Sequence, residues 1–244
     1  MAERSLDLDA ILALLERVRD LKVACVGDLM LDRYVYGEVS RISPEAPIPV
    51  LRARRTVAMP GGVGNVARNV AALGGLARLG AVAGDDAAGA ELAELIAAED
   101  RIEDALIRPE GAATIVKTRF VAAGQQLLRL DDEAALQSGY ADKAVFQGAG
   151  AILLSDYAKG VVDDGAVQAA LWAGAEYGAP VIVDPKGRDF ARYGAVDVIK
   201  PNASELAGAT GLPTETDEQV EAALAALLDA TTTKAVIVTR AGKG

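Results

Sequence analysis

The 244 residues carry 35 acidic and 25 basic side chains and a formal charge of −10, which argues against a nucleic-acid partner, since phosphate backbones call for a continuous basic face. Apolar residues make up 51% of the chain and aromatics only 4%, a profile of helices packed closely on buried strands rather than of an aromatic-rich β sandwich. The single cysteine, Cys25, leaves no intrachain disulfide, the amino terminus lacks the regions of a secretory signal, and no apolar run reaches the ~18–20 residues of a membrane span, so a cytoplasmic protein without a membrane partner is expected.

Across residues 8–21, Leu8, Ile11, Leu12, Leu15 and Val18 recur at helical spacing, and the apolar run 23–26 predicts a strand ending at Gly27-Asp28. Residues 35–39, 48–57, 115–121 and 126–130 are β-prone but too short and polar for central parallel strands. They fit a small lid, about 34–57 and 113–131, over one end of a single main domain. From Gly61 the rhythm turns to alternation: helix 63–73, strand 76–82, helix 87–98, strand 102–107, helix 141–148, strand 151–154 and helix 165–177. Strands 181–183 and 196–199, helices 203–210 and 217–228 and strand 235–239 continue it. Such alternation implies an α/β fold with a mainly parallel sheet covered on both faces and ligands beyond the carboxyl ends of its strands. That rule selects Asp28, Asp32, Asp85, Asp156, Asp184 and Asn202.

Several segments carry chemistry. Gly61-Gly62-Val63-Gly64-Asn65 opens a helix, where glycines let backbone N–H groups approach a ligand closely; the alternative is a tight turn with close helix packing. The same stretch matches a dinucleotide fingerprint through Gly62, Gly64 and Ala67, with Asp85 or Asp86 downstream, which would make the chain an NAD(P)-binding protein. Pro60, where the first strand of that fold should run, opposes this reading. Asp28 and Asp32 are carboxylates able to accept hydrogen bonds from vicinal sugar hydroxyls. Asn202 and Glu205 have the spacing of a capping box.

Taken together, the glycine loop followed by Gly74, Gly80 and Gly84, and the run Asn202-Ala203-Ser204-Glu205, resemble the ribokinase-like carbohydrate kinases over essentially the whole chain. More particular stretches, 27–34, 40–47, 125–131, Ser155-Asp156-Tyr157-Ala158-Lys159-Gly160 and Asp184-Pro185-Lys186-Gly187, are similar to the heptose 7-phosphate kinases of that family, stand-alone or as the amino-terminal half of a bifunctional enzyme. The resemblance implies a three-layer sandwich with a small β lid. It also implies ATP- and Mg2+-dependent phosphorylation of D-glycero-D-manno-heptose 7-phosphate at carbon 1, a step toward ADP-heptose and lipopolysaccharide core. Carried over by position, Asp32, Gly62 and Asn65 would hold sugar hydroxyls, Asp156 would lie beside the reacting end, and Asn202 and Glu205 would serve the magnesium–nucleotide side without ligating metal directly. Lys186 would neighbour the transferring phosphate, offsetting its charge. A sugar already phosphorylated also needs an anion clamp, for which Arg33, Arg41, Lys117 and Arg119 are candidates. A homodimer through the lid, around 35–57, is expected from its strand edges.

One family element is absent from the 244 residues, the D-T-x-G-A-G-D run that supplies the catalytic aspartate and an anion hole. The resemblance therefore implies an incomplete kinase domain whose base lies beyond Gly244. Such a chain would act alone as a non-catalytic sugar-phosphate-binding fragment.

Overall fold

The computed structural model describes residues 7–133, 140 and 142–244. Helix α1 (Leu8–Val18) and strand β1 (Lys22–Gly27) lead into β2 (Leu29–Ile42) and β3 (Pro49–Gly62), followed by α2 (Val63–Ala72), β4 (Leu76–Gly80), α3 (Ala87–Ala97) and β5 (Ile102–Asp104). Strands β6 (Val116–Ala122) and β7 (Gln125–Asp132) precede β8 (Ala151–Ser155), α4 (Asp164–Tyr177), β9 (Val181–Asp184), β10 (Val198–Ile199), α5 (Ala203–Thr210), α6 (Asp217–Ala230) and β11 (Ala235–Val236). Seven strands form a parallel sheet in the order β11-β10-β9-β8-β1-β4-β5, and a second sheet has the order β3-β2-β6-β7. This is the α/β architecture that the alternation predicts.

Strand alternation decides what covers each face, because successive side chains point to opposite sides. Val23 and Cys25 of β1 pack with Val63 and Ala67 of α2 and Leu92 and Ile96 of α3. Ala24 and Val26 pack on the other side with Val167 and Ala170 of α4, Leu206 of α5 and Leu227 of α6. Both faces are buried, which is why β1 reads as an unbroken apolar run. Burial pushes the Cys25 thiol up to about 12, so it behaves as a small apolar side chain and not as a nucleophile.

The lid differs from the expectation of short strands. β2 and β3 are each 14 residues long, and β2 starts immediately after Asp28, with only that residue between it and β1. Antiparallel pairing carries the two strands through polar sequence, with register breaks at Tyr36/Gly37 and Val39/Ile42 absorbing the mismatch. Pairing resumes beyond each break, so the two strands run on where local β propensity alone would stop them. Strands 76–82, 102–107, 196–199 and 235–239 shorten to β4, β5, β10 and β11, with the isolated bridges Val82↔Ile107 and Asn202↔Thr239 beyond them. The helix expected at 141–148 is a single 3-10 turn, Lys143–Phe146; Ala141 lies outside the described residues.

Helix ends follow their capping signals. The Asn202 and Glu205 side chains cap α5 reciprocally, Thr216 and Gln219 do the same for α6, and Gly178 and Gly211 close α4 and α5 in the left-handed conformation. Replacing Thr216 with alanine should cost about 1 kcal/mol, measured as a lower midpoint in denaturant at unchanged m value, because the Gln219 N–H in the first turn of α6 loses its side-chain acceptor.

Candidate functional site

The strand order of the main sheet reverses at β1, which has β4 on one side and β8 on the other. At such a switch point the crevice beyond the strand ends is open to a ligand. Its floor is tight. The Asp28 N–H donates to the Ser155 carbonyl (3.1 Å) and the Asp156 N–H to the Asp184 carbonyl (3.0 Å), joining the ends of β1, β8 and β9. A β-carbon on Gly27 would collide with that Ser155 carbonyl, so the close approach of β1 to β8 requires glycine there.

Asp28 is fully buried, and its carboxylate is already engaged. Oδ2 accepts the N–H groups of Tyr157 (2.7 Å) and Lys159 (3.1 Å), and Oδ1 accepts that of Val161 (3.1 Å). Its carbonyl accepts the Val63 N–H (3.0 Å), the first amide of α2. Burial pushes its pKa up against the pull of those three N–H groups, with Asp156 adding to the rise. Asp28 is thus a bracket between the loop after β8 and the start of α2. Its oxygens are not open to sugar hydroxyls, the role its chemistry suggested in the sequence.

Asp32 stands at the base of the lid against Gly61, paired with Arg119 on β6. Arg119 also lies over the Tyr34 ring, 5.1 Å from its centroid. Register places Lys117 opposite Asp32 and Arg119 opposite Tyr34, so these side chains share one lid face. Lys117 meets Glu133 (2.6 Å) and Asp131 (3.4 Å), and Glu133 also holds Lys159 of the β8 loop. Arg33 points to the opposite lid face and pairs with Glu91 of α3. Arg41 is exposed, next to the last residue of β2 and nine residues from Asp32, a distance of roughly 30 Å along a strand. The structure therefore gathers Lys117 and Arg119 beside Asp32 and separates Arg33 and Arg41 from it.

Gly62 precedes α2 at φ 57°, ψ −130° and offers the helix no side-chain cap. Asn65 is exposed in the first turn and also borders a groove with Arg68, Asn69 and Glu99. The glycine turn follows β3, a lid strand antiparallel to β2, and β1 runs into β2 rather than into a helix. The dinucleotide fingerprint on Gly62, Gly64 and Ala67 therefore lacks its strand–turn–helix context, and Asp86 is spent capping α3 and holding Thr114.

Asp156 is buried, with Oδ2 accepting from Arg192 Nη1 (2.7 Å) and the Tyr193 hydroxyl (2.8 Å) and Oδ1 from the Ala158 N–H (2.6 Å). Arg192 also donates to the Val162 carbonyl (2.7 Å). Lys186, just past β9, pairs with Glu205 Oε1 (3.0 Å), while Glu205 Oε2 accepts the Asn202 N–H (3.0 Å). The capping-box role and the pairing with Lys186 thus coexist at Glu205. Lys200 pairs with Asp184 (3.0 Å). Burial raises the phenol pKa of Tyr157, and the charges of Asp184, Asp32, Lys186 and Glu205 act on it.

Sequence reasoning gave no role to Tyr157, Lys159, Glu133, Arg192 or Tyr193. Tyr157 and Lys159 sit within the Ser155–Gly160 run already singled out, so a signal existed; Arg192 and Tyr193 lie in a loop with no pattern. A separate cleft of about 180 Å³ opens at the opposite, amino-terminal ends of β1 and β4. Two of its cations, Arg78 and Arg101, are engaged by Glu103, Asp20 and main-chain carbonyls.

The pfkB family carbohydrate kinase model matches residues 20–244. A bifunctional protein HldE from Hyphomonas neptunium is 47% identical over 239 residues, covering 95% of this chain and 49% of the relative. Its counterpart from Rhodospirillum rubrum is 49% identical over 246 residues, covering 97% and 49%. The chain spans about half the length of these curated relatives. Among solved structures, phosphofructokinase-2 from Escherichia coli in its tetrameric inhibited form superposes with TM-score 0.67 at 25% identity, covering 93% of this chain and 75% of that one. Arabidopsis thaliana ribokinase complexed with ribose and ATP gives 0.65 at 24%, covering 93% and 73%.

Proposed function

The chain belongs to the pfkB family of carbohydrate kinases, and from that premise we propose that it supplies the sugar-binding side of an enzyme that phosphorylates D-glycero-D-manno-heptose 7-phosphate at carbon 1 with ATP. The observation that supports this reading is two unlike clusters placed beyond the carboxyl ends of the main-sheet strands: Asp32 with Lys117 and Arg119 on the lid after β1, and the Lys186–Glu205 pair after β9 and β10. The product would be the 1,7-bisphosphate, on the way to ADP-heptose and lipopolysaccharide core.

In this reading Asp32 accepts hydroxyl hydrogens from the sugar, and, beyond Gly62 and the Val63 amide that Asp28 holds, the N–H groups of Gly64 and Asn65 with the Asn65 side chain face it from the first turn of α2. Lys117 and Arg119 clamp the phosphate that the sugar already bears, in preference to Arg33 and Arg41. Asp156 keeps the loop beside the reacting carbon in place. Magnesium and ATP, when bound, supply the phosphoryl group and neutralise its charge. The residues present fit that group: Glu205 is an anionic acceptor next to the Lys186 ammonium, able to hold metal-bound water, and Lys186 can face phosphate oxygens. A homodimer through the lid belongs to the same reading, since β3 and β7 are sheet edges and Leu127, Leu128 and Leu130 of β7 are exposed. A monomeric mass at all micromolar concentrations would count against it. A cytoplasmic location is proposed with it, checked by fractionation of cells.

The 244 residues alone should bind the sugar phosphate weakly and release no ADP above background, because the D-T-x-G-A-G-D run is absent from them. Calorimetry with heptose 7-phosphate beside an ADP-release assay checks both. Asp32→Ala should weaken binding by about tenfold or more, the size of a charged hydrogen-bonding contact. Robust turnover would refute the assignment of the base to that run, and binding indifferent to Asp32→Ala would refute the sugar site.

A further inference from the structure

We propose that Tyr157 contacts the sugar and helps set which carbohydrate the crevice accepts, with the buried Asp28 as the positioning residue that holds it there; the proposal deepens the carbohydrate-site reading and rests on it. The loop after β8 is fixed through its own backbone. Between 156 and 161, the N–H groups of Asp156, Tyr157, Ala158, Lys159 and Val161 go respectively to the Asp184 carbonyl, Asp28, the Asp156 carboxylate, Asp28 and Asp28. At its centre Ala158 adopts φ 57°, a left-handed conformation that costs free energy for any residue with a β-carbon. Strain of this kind persists only where the surroundings over-determine it, and it concentrates where a fold presents a functional group.

What the loop presents is Tyr157, 40% exposed. Tyr157 is the second residue past β8, and Lys159 of the same loop pairs with Glu133, which also holds Lys117 of the lid, so the loop borders the Asp32 cluster; the charges of Asp32, Lys186 and Glu205 act on the phenol. A sugar offers apolar C–H faces and polar hydroxyl rims, and a half-exposed tyrosine matches both, with a flat apolar ring and a hydroxyl that donates and accepts. The neighbouring charged side chains can bind hydroxyls and phosphate but provide no such face.

Asp28 accounts for the fixed position of the ring. Three of the five loop bonds end on its carboxylate, and its carbonyl holds the first amide of α2. One residue thus spaces Tyr157 from the helix terminus across the crevice. Its raised pKa means that its charge is held at a cost to folding. A neutral side chain would avoid that cost but could not accept three N–H groups in this arrangement.

The test is calorimetric titration of the 244-residue chain and its variants with heptose 7-phosphate, fructose 6-phosphate and ribose. For the sugar the wild type binds best, Tyr157→Ala should lower affinity by about tenfold or more and Tyr157→Phe by roughly two- to fivefold, since the latter keeps the ring and loses only a hydrogen bond. Asp28→Asn should match Tyr157→Ala, and the double variant should be less than about twofold weaker than Tyr157→Ala, because Asp28 acts through the tyrosine. A merely structural Asp28 would instead multiply its loss onto that of Tyr157→Ala and overturn the positioning role. Wild-type affinity in Tyr157→Ala overturns the contact. Should Asp28→Asn not fold, the two Tyr157 variants, at an exposed side chain, decide the matter. A wild type preferring fructose 6-phosphate or ribose removes the heptose reading and leaves the Tyr157 comparison to be made on that sugar; a wild type that binds none of the three overturns both.

Discussion

Gly62→Ala should lower the stability of the chain by roughly 3 kcal/mol or more, a fall of about 6–12 °C in Tm for a domain of this size, and abolish sugar binding. Two costs combine. The residue has φ 57° and ψ −130°, where a β-carbon adds of order 1–3 kcal/mol of backbone strain. The new methyl group would also be driven into the Asp28 carbonyl oxygen and lie 3.0 Å from the end of Met30. That carbonyl is the acceptor for Val63, so relief of the collision must pull α2 away from the β1 terminus. Gly178→Ala provides the control, because that residue has φ 66° with nothing within 4 Å of its would-be β-carbon. It should lose only about 1 kcal/mol. Equal losses in the two variants would show that α2 yields freely and that the contact with Asp28 is soft.

Arg192→Ala should cost about 3 kcal/mol, measured by denaturant midpoint. The Asp156 side chain is only 3% exposed, and Arg192 is its cationic partner at 2.7 Å; removal leaves a buried carboxylate with only neutral donors, the situation in which breaking a buried pair is most harmful. The Val162 carbonyl loses its donor as well. Arg192→Lys should recover part of the loss but not all, since an ammonium cannot fork between a carboxylate and a carbonyl in the same plane. Adding Asp156→Asn to Arg192→Ala should be less harmful than the separate losses predict, because the orphaned charge is gone. Additive losses would show that Arg192 acts through packing alone.

The parts of this molecule that were legible in the sequence are those decided within a few residues or by simple periodicity. The α5 boundaries, the Asn202/Glu205 cap and the alternation of Val23 to Val26 are of that kind. The lid strands were read too short because their length depends on a partner strand and on register breaks that no local propensity encodes. Among the site candidates, Asp32 and Lys186 lie at the crevice, yet Asp28 looked equally suitable on its chemistry and is fully spent inside. Composition says which side chains can accept a hydrogen bond, and only tertiary structure says whose bond they accept. Arg192 and Tyr193 were invisible for the same reason, being defined by a carboxylate more than thirty residues away in the chain.

The three bonds from Asp28 to the β8 loop cross 129, 131 and 133 residues of chain. Closing a loop of that size is entropically costly and slow, and its reward comes only after β1 and β8 are already side by side. The crevice must consequently mature late, after the first half of the chain has waited for β8 to arrive. During refolding, helical signal should recover before ligand binding, and a sugar phosphate present from the start should have little influence on the early phase. The ligand would instead trap the last conformer formed, slowing escape from the native state more than it hastens arrival there.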